Sequence, residues 1–327
     1  MNNQRRKVLH GLSAGAAALA LPITARAAWP DKPIKLVIGY STGGSTDATA
    51  RLLGRQLESR IGQSIIPEYK PGAGASLGAD YVAKSAPDGY TIGLTDSGPM
   101  TIMPNLRKVG YDPLKDFTPL SYVCATGLVV LVHPSVPAKN IQELIAMAKA
   151  RPDVLNYASS GVGSVHHLAG ELFKAQAGIK MTHVPYKGAA PALTDLIGGQ
   201  VPVMFATIGP ALQMITSGKA RALGVTSAKR SVPLPDVPTV AEQGLPGYEA
   251  VLWFMTVGPT GLPPAITARY EKDLQSTLAD KGLIADLEKL GNEEVGARTP
   301  KEVNDLLRSE LAKWAKVIKD ANITLES

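Results

Sequence analysis

Ile34-Lys35-Leu36-Val37-Ile38, then Gly39-Tyr40-Ser41-Thr42-Gly43-Gly44-Ser45, then Leu52, Leu53, Leu57 and Ile61 at helical spacing up to Gly62, decide the fold class. A short branched apolar run reads as a strand buried on both faces, as in a parallel sheet, and the glycine-rich turn opens a helix that Gly62 stops. The unit is strand, loop, helix. It recurs: Ser64 to Glu68, Thr91 to Thr95, Leu155 to Ser159, Met181 to Val184, Val201 to Ala206 and Ala220 to Thr226 are further strand candidates, most followed by helical patterns. Such alternation predicts an α/β fold with parallel sheets.

About 300 residues exceed what one core usually serves, so two lobes are expected. Leu128 to His133 and Leu252 to Val257 are apolar runs that end in Pro/Gly-rich segments, and they read as the crossings between lobes. Lobe one is then residues 28–127 plus 255–327, and lobe two is 128–254. Asn140 to Glu143 and Thr299 to Glu302 read as capping boxes. The second opens a helix whose Val303, Leu307, Leu311, Trp314 and Ile318 form a stripe for packing on a sheet.

The formal charge is +6, but Arg5, Arg6, Lys7 and Arg26 lie in an acid-free N-terminus, and without these four it is +2. No later Lys/Arg cluster suits nucleic acid. Basic residues ahead of the uncharged Gly11 to Ile23 run, then Ala25-Arg26-Ala27, read as a signal peptide over residues 1–27, cleaved near Ala27. Arg5-Arg6 fits twin-arginine as well as general export. Leu196 to Gly218 carries no charge, yet Gly and Pro interrupt it, so no membrane span is expected there. Cys124 is the only cysteine and sits among apolar residues, where a buried thiol is expected.

Four loops place small residues where a strand ends and a helix begins: Ser41 to Ser45, Ser159 to Ser164, Lys187 to Ala190 and Thr207 to Pro210. Free backbone N–H groups at helix starts bind anions, and glycine lets a ligand approach the backbone. Enzyme patterns fit less well. Gly74-Ala-Ser76-Leu-Gly78 matches a nucleophile elbow, but Pro71-Gly72 breaks the strand it requires. The same glycines depart from the dinucleotide fingerprint, although Asp96 stands near the place of its acidic residue. Ser164, His167 and Asp195 are triad types without triad spacing. Adjacent His166 and His167 cannot chelate one metal as an i, i+4 pair could, so neither metal nor cofactor is expected.

Asn156-Tyr-Ala-Ser-Ser-Gly-Val-Gly-Ser-Val-His-His-Leu-Ala-Gly-Glu-Leu-Phe173, His183-Val-Pro-Tyr-Lys-Gly188 and Leu193-Thr-Asp-Leu-Ile-Gly-Gly-Gln-Val201 resemble the Bug family, extracytoplasmic solute receptors of tripartite tricarboxylate transporters. Trp29 to Pro33, Lys70 to Gly74, Pro87 to Tyr90, Leu234 to Glu242 and Pro246 to Glu249 carry the resemblance along the chain. It implies a type II periplasmic-binding-protein fold, with a ligand cleft between two α/β lobes. It also implies a periplasmic receptor for a small carboxylate that hands its ligand to a membrane permease. The expected ligand residues are Tyr40, Ser41, Thr42 and Gly43 from lobe one and Ser160, Gly161, Ser164 and Thr207 from lobe two, with Asp47, Ser97, Lys187 and Asp195 in second rank. A monomer is expected. Two departures stand out: Ser41-Thr42 where relatives commonly carry proline, and Ala206-Thr207 where many carry an acid. The competing readings are a secreted serine hydrolase using Ser76 or Ser164, and an orphan receptor with a signalling role.

Overall fold

The computed structural model describes residues 29–152 and 154–324, so the expected signal peptide lies outside the described residues. In chain order the strands are β1 (Ile34–Ile38), β2 (Ile65–Tyr69), β3 (Thr91–Asp96), β4 (Phe117–Val132), β5 (Asn156–Ser159), β6 (Thr182–Pro185), β7 (Val203–Thr207), β8 (Arg221–Val225) and β9 (Val251–Pro259). The helices are α1 (Ser45–Ile61), α2 (Ser76–Ala83), α3 (Met103–Leu106), α4 (Ile141–Ala150), α5 (Val165–Ala177), α6 (Ala189–Ile197), α7 (Ile208–Thr216), α8 (Pro264–Leu278), α9 (Lys281–Lys289) and α10 (Pro300–Asp320). Each expected strand forms, within two residues of its predicted start.

The strand order β2-β1-β3-β9-β4-β7-β5-β6, with β8 also on β4, defines two halves that share one strand. β1 pairs in parallel with β2 and β3, and β5 with β6 and β7, as the buried apolar runs predict. The two crossings are antiparallel. From Phe117 to Gly127 β4 pairs with β9, and from Leu128 to Val132 it pairs with β7 and β8. The first stretch was not predicted as strand, because Pro119, Ser121 and Gly127 break its periodicity and the register slips twice. Proline is tolerated there because this part of β4 is a sheet edge. β9 pairs along its length with β3 and this part of β4, so Val251 to Phe254 sit with the first half.

Apolar side chains fill both faces of each half-sheet. Ile34, Leu36 and Ile38 face α1 through Leu53 and Leu57, while Val37 and Val257 share a cluster with Val303 and Leu307 of α10. Thr299 and Glu302 cap α10 reciprocally as predicted. At α4, Asn140 accepts from the Glu143 amide, but the Glu143 carboxylate takes the Lys139 amide instead of that of Asn140. Cys124 is buried and free, and burial pushes its thiol pKa up.

The crossings are stitched together by Thr226. Its hydroxyl donates to Ala250 O at 2.6 Å and accepts from the Leu128 N–H at 2.8 Å, while its own N–H donates to Leu128 O at 2.9 Å. Valine in place of this fully buried threonine keeps the shape and orphans two backbone groups. We expect Thr226→Val to lower unfolding stability by about 1–3 kcal/mol in a urea titration. An unchanged midpoint would show that the clamp adds nothing.

Candidate ligand cleft

The loops at the C-terminal ends of the parallel strands meet across the two halves. Gly44 caps α1 and Gly188 caps α6, both without a side-chain hydrogen bond, so helix-start amides are left for other acceptors. The Ser41 N–H donates to Lys187 O at 3.3 Å. A Cβ built on Gly43 lies 3.2 Å from Ala190 Cβ, one on Gly74 would stand 2.3 Å from Val162 O, and one on Gly188 2.2 Å from Ser41 Oγ. Glycine is what permits this approach.

In the first loop, Asp47 braces the backbone. Its carboxylate accepts from Gly43 N–H at 2.8 Å, Arg51 Nε at 2.8 Å and Tyr69 OH at 2.7 Å. Three donors leave it little capacity for a ligand. The Ser41 hydroxyl, by contrast, is buried without a partner, as are those of Ser97 after β3 and Thr207 at the end of β7. Tyr40 OH donates to Asp96 Oδ1 at 3.3 Å.

The second loop is held from behind by histidines. Ser164 caps α5, its hydroxyl donating to Gly161 O at 2.7 Å and accepting from the His167 N–H. His167 Nδ1 accepts from the Gly163 N–H, Ser159 Oγ meets His183 Nε2 at 2.6 Å, and Ser160 Oγ meets His166 Nδ1 at 2.7 Å. The His167 and His183 rings stack at 4.1 Å. Desolvation pulls the pKa of His166 and His167 down to about 4 and that of His183 to about 3. All three are therefore neutral at pH 7, serving as hydrogen-bonding props for the loop.

The expected residues separate accordingly. Tyr40, Ser41, Thr42 and Gly43 sit on the loop that touches the second half; Ser160 and Gly161 line the opposing loop; Thr207 starts α7. Ser164 is occupied as a cap. Asp195 accepts from Tyr186 OH at 2.6 Å on the flank of α6, and the Lys187 side chain is exposed. Sequence reading missed Gly98, where a Cβ would lie 3.4 Å from Gly163 O of the opposite loop; a glycine after a strand carries no local sign of that approach, which only the fold creates. No triad assembles from the hydrolase candidates: Ser76 starts α2 after a 3-10 turn, Ser164 and His167 both bond the loop backbone, and Asp195 bonds Tyr186. Among the described residues no group of three His, Cys, Asp or Glu could hold a metal ion, and no helix is long and apolar enough to cross a membrane. A groove of about 720 Å³ is lined by Tyr69, Lys70, Tyr81 and neighbours from the first half alone, so it is not the cleft.

A two-lobed α/β chain whose strand-end loops close on one another has the architecture of a solute-binding receptor. The tripartite tricarboxylate transporter family receptor profile matches residues 49–323, and the chain belongs to that family. It is a receptor and not an enzyme. BugT of Bordetella pertussis is 34% identical over 331 residues, with 100% of both chains covered. Among solved structures, R. palustris Rpa4515 with adipate is 36% identical, with TM-score 0.87 over 90% of this chain and 99% of that one. MatC from Rhodopseudomonas palustris with bound malate is 31% identical, with TM-score 0.84 over 88% and 99%.

Two outcomes follow from this geometry. Gly43 and Gly161 have φ of +87° and +135°, so side chains there strain the backbone as well as the contact, whereas Gly44 has φ −89° and faces Ala189 Cβ at 3.8 Å. Gly44→Leu should therefore keep the melting temperature near wild type while abolishing measurable ligand binding in calorimetry, and wild-type affinity would contradict the closure contact. The histidine pKa values also set a sign. Three groups lowered from 6.5 mean that the unfolded chain binds more protons between pH 6.5 and about 4, and Asp96, raised from 3.8 to about 7, opposes them singly. Histidine-derived stability is thus complete above pH 6.5 and falls as the pH drops to about 4. Thermal melts should show a shallower acid loss in His183→Gln than in wild type; parallel slopes would remove this histidine from the account.

Proposed function

We propose that this receptor captures a small carboxylate between its lobes and delivers it to the membrane permease of a tripartite transporter. In this reading it works in the periplasm as a monomer, after export directed by residues 1–27 and cleavage near Ala27. The ligand residues proposed are Tyr40, Ser41, Thr42 and Gly43 from one side and Ser160, Gly161 and Thr207 from the other, with Ser97 beneath them. Asp47 and Ser164 brace the two loops; the Lys187 side chain is exposed, and Asp195 is bonded to Tyr186. The observation that carries the reading is the approach of the α1 and α6 starts, neither capped by a side chain, with the buried, unpartnered Ser41 hydroxyl at their contact; the Thr207 hydroxyl at the start of α7 is likewise buried and unpartnered. Adipate in Rpa4515 and malate in MatC support the carboxylate class.

The energetics suffice without an arginine. Micromolar affinity is about −8 kcal/mol, and charge-assisted hydrogen bonds contribute roughly 1.5–3 kcal/mol each, so four or five offset the ordering costs. A ligand bridging both loops binds the closed arrangement better than an open one, and that difference drives closure about the connections at Gly127–Leu128 and Thr226–Val251. Closure excludes water from the contacts and forms one surface across both lobes for a permease to recognise.

Native mass spectrometry of protein purified from cells should reveal a bound small carboxylate. Small-angle scattering should then show the radius of gyration falling when that compound is added back to stripped protein. An unchanged radius at saturation would overturn the closure mechanism, and a ligand with no carboxylate would overturn the substrate class.

A further inference from the structure

Val162 and Gly163, at the tip of the second loop, stand outside the proposed ligand set, yet the first half encloses them. A Cβ built on Gly74 would collide with Val162 O and lie 3.3 Å from the Gly163 carbonyl carbon. One on Gly163 would overlap the Met103 thioether, and one on Gly98 would lie 3.4 Å from Gly163 O. Asn322 and Thr324, beyond the end of α10, share with Val162, His167 and His183 the lining of a chamber of about 300 Å³. Four segments that belong to or pack on the first half therefore surround a two-residue tip.

Both sides of this contact are fixed in place. Gly98–Ile102 is a π-helical turn that runs directly into α3, and single π turns of this kind occur mostly at functional sites. It is tied down by Tyr111 OH, which donates to Pro99 O at 2.6 Å, and by Asn105 Nδ2, which donates to Thr101 O and to Leu311 O of α10. Met103 follows the turn and is fully buried. On the other side, His167 Nδ1 accepts from the Gly163 N–H. Among the described residues no hydrogen bond or ion pair joins Val162 or Gly163 to Gly74, Gly98 or Met103. The contact is apolar and steric, and it exists only while the lobes are together.

We propose that Met103 and the Val162–Gly163 tip form a latch that favours the closed arrangement whether or not a ligand is bound. This rests on the closure reading above and names a share of closure that owes nothing to the ligand. Burial of a methionine side chain is enough to change a closed-to-open ratio by about tenfold or more. Because the latch touches no ligand, it multiplies the affinity for every ligand by the same factor, and selectivity stays with the polar groups of the loops.

Electron–electron distance measurements on the full mature chain, stripped of ligand by unfolding and refolding, test the latch. Spin labels go on Ser59→Cys in α1 and Gln176→Cys in α5, both exposed, while the buried Cys124 takes none. The wild-type background should show a closed distance, alone or beside an open one, with no ligand added. Gly74→Ala supplies the open reference: its methyl meets Val162 O only when the lobes are together, and the neighbouring Ala73 and Ala75 already hold left-handed backbone with φ of +51° and +69°. Met103→Ala should lower the closed-to-open ratio about tenfold. Met103→Gln, which keeps the length and loses the apolar contact, should lower it as well and serves if the alanine variant melts early; Met103→Leu should stay near wild type. A single open distance in the unliganded wild type, or a ratio that Met103→Ala and Met103→Gln leave unchanged, would overturn the latch and leave ligand-driven closure standing. One distance common to the wild type, every variant and the carboxylate-loaded protein would count against closure itself.

Discussion

One strand belongs to both halves of this molecule. β4 exchanges β9 for β7 and β8 at Gly127–Leu128, and the return connection passes within hydrogen-bond distance of the same point through Thr226 and Ala250. Both crossings lie side by side and share a buried hydroxyl. Gly127 is needed at this junction, since a Cβ there would stand 2.9 Å from Ser227 Oγ. The connection between α9 and α10 adds a third contact, where Thr126 Oγ1 donates to Gly291 O and a Cβ on Gly209 would collide with Leu290 O. These constraints hold the strand-end loops opposite one another.

The cleft proposed on this frame uses dipoles and hydroxyls where many anion sites use cations. Helix-start amides at α1 and α6 and the unpartnered Ser41 and Thr207 hydroxyls provide donors already fixed by the fold. Charges near the loops have separate tasks. Arg51 is spent on Asp47, which orients Gly43, while His167 and His183 stay neutral and hold the backbone of the second loop. Asp96 Oδ2 is buried without a partner, as are the hydroxyls of its neighbours Thr95 and Ser97.

Much of this was legible along the chain. The apolar runs and glycine-rich turns identified the parallel strands, the helix starts and the loops that come together, because each is a local property of a few consecutive residues. The stripe on α10 and its capping box were legible for the same reason. The first part of β4 was not, since an edge strand with a proline and two register slips has no period to read. Asp47 and Ser164 were recognised as members of the loops, but their partners lie outside the local pattern, so a ligand role and a bracing role looked alike.

Sequence alone therefore determined the fold class, the two-lobed organisation expected from the resemblance, and the set of loops at the strand ends. Tertiary structure decided which polar groups on those loops are spent and which remain free. Hydrogen-bond capacity is spent on partners distant in sequence, as by Tyr69 on Asp47 and, for one oxygen only, by Tyr40 on Asp96. A residue's type states how many bonds it can make, and only the folded neighbourhood states how many are left.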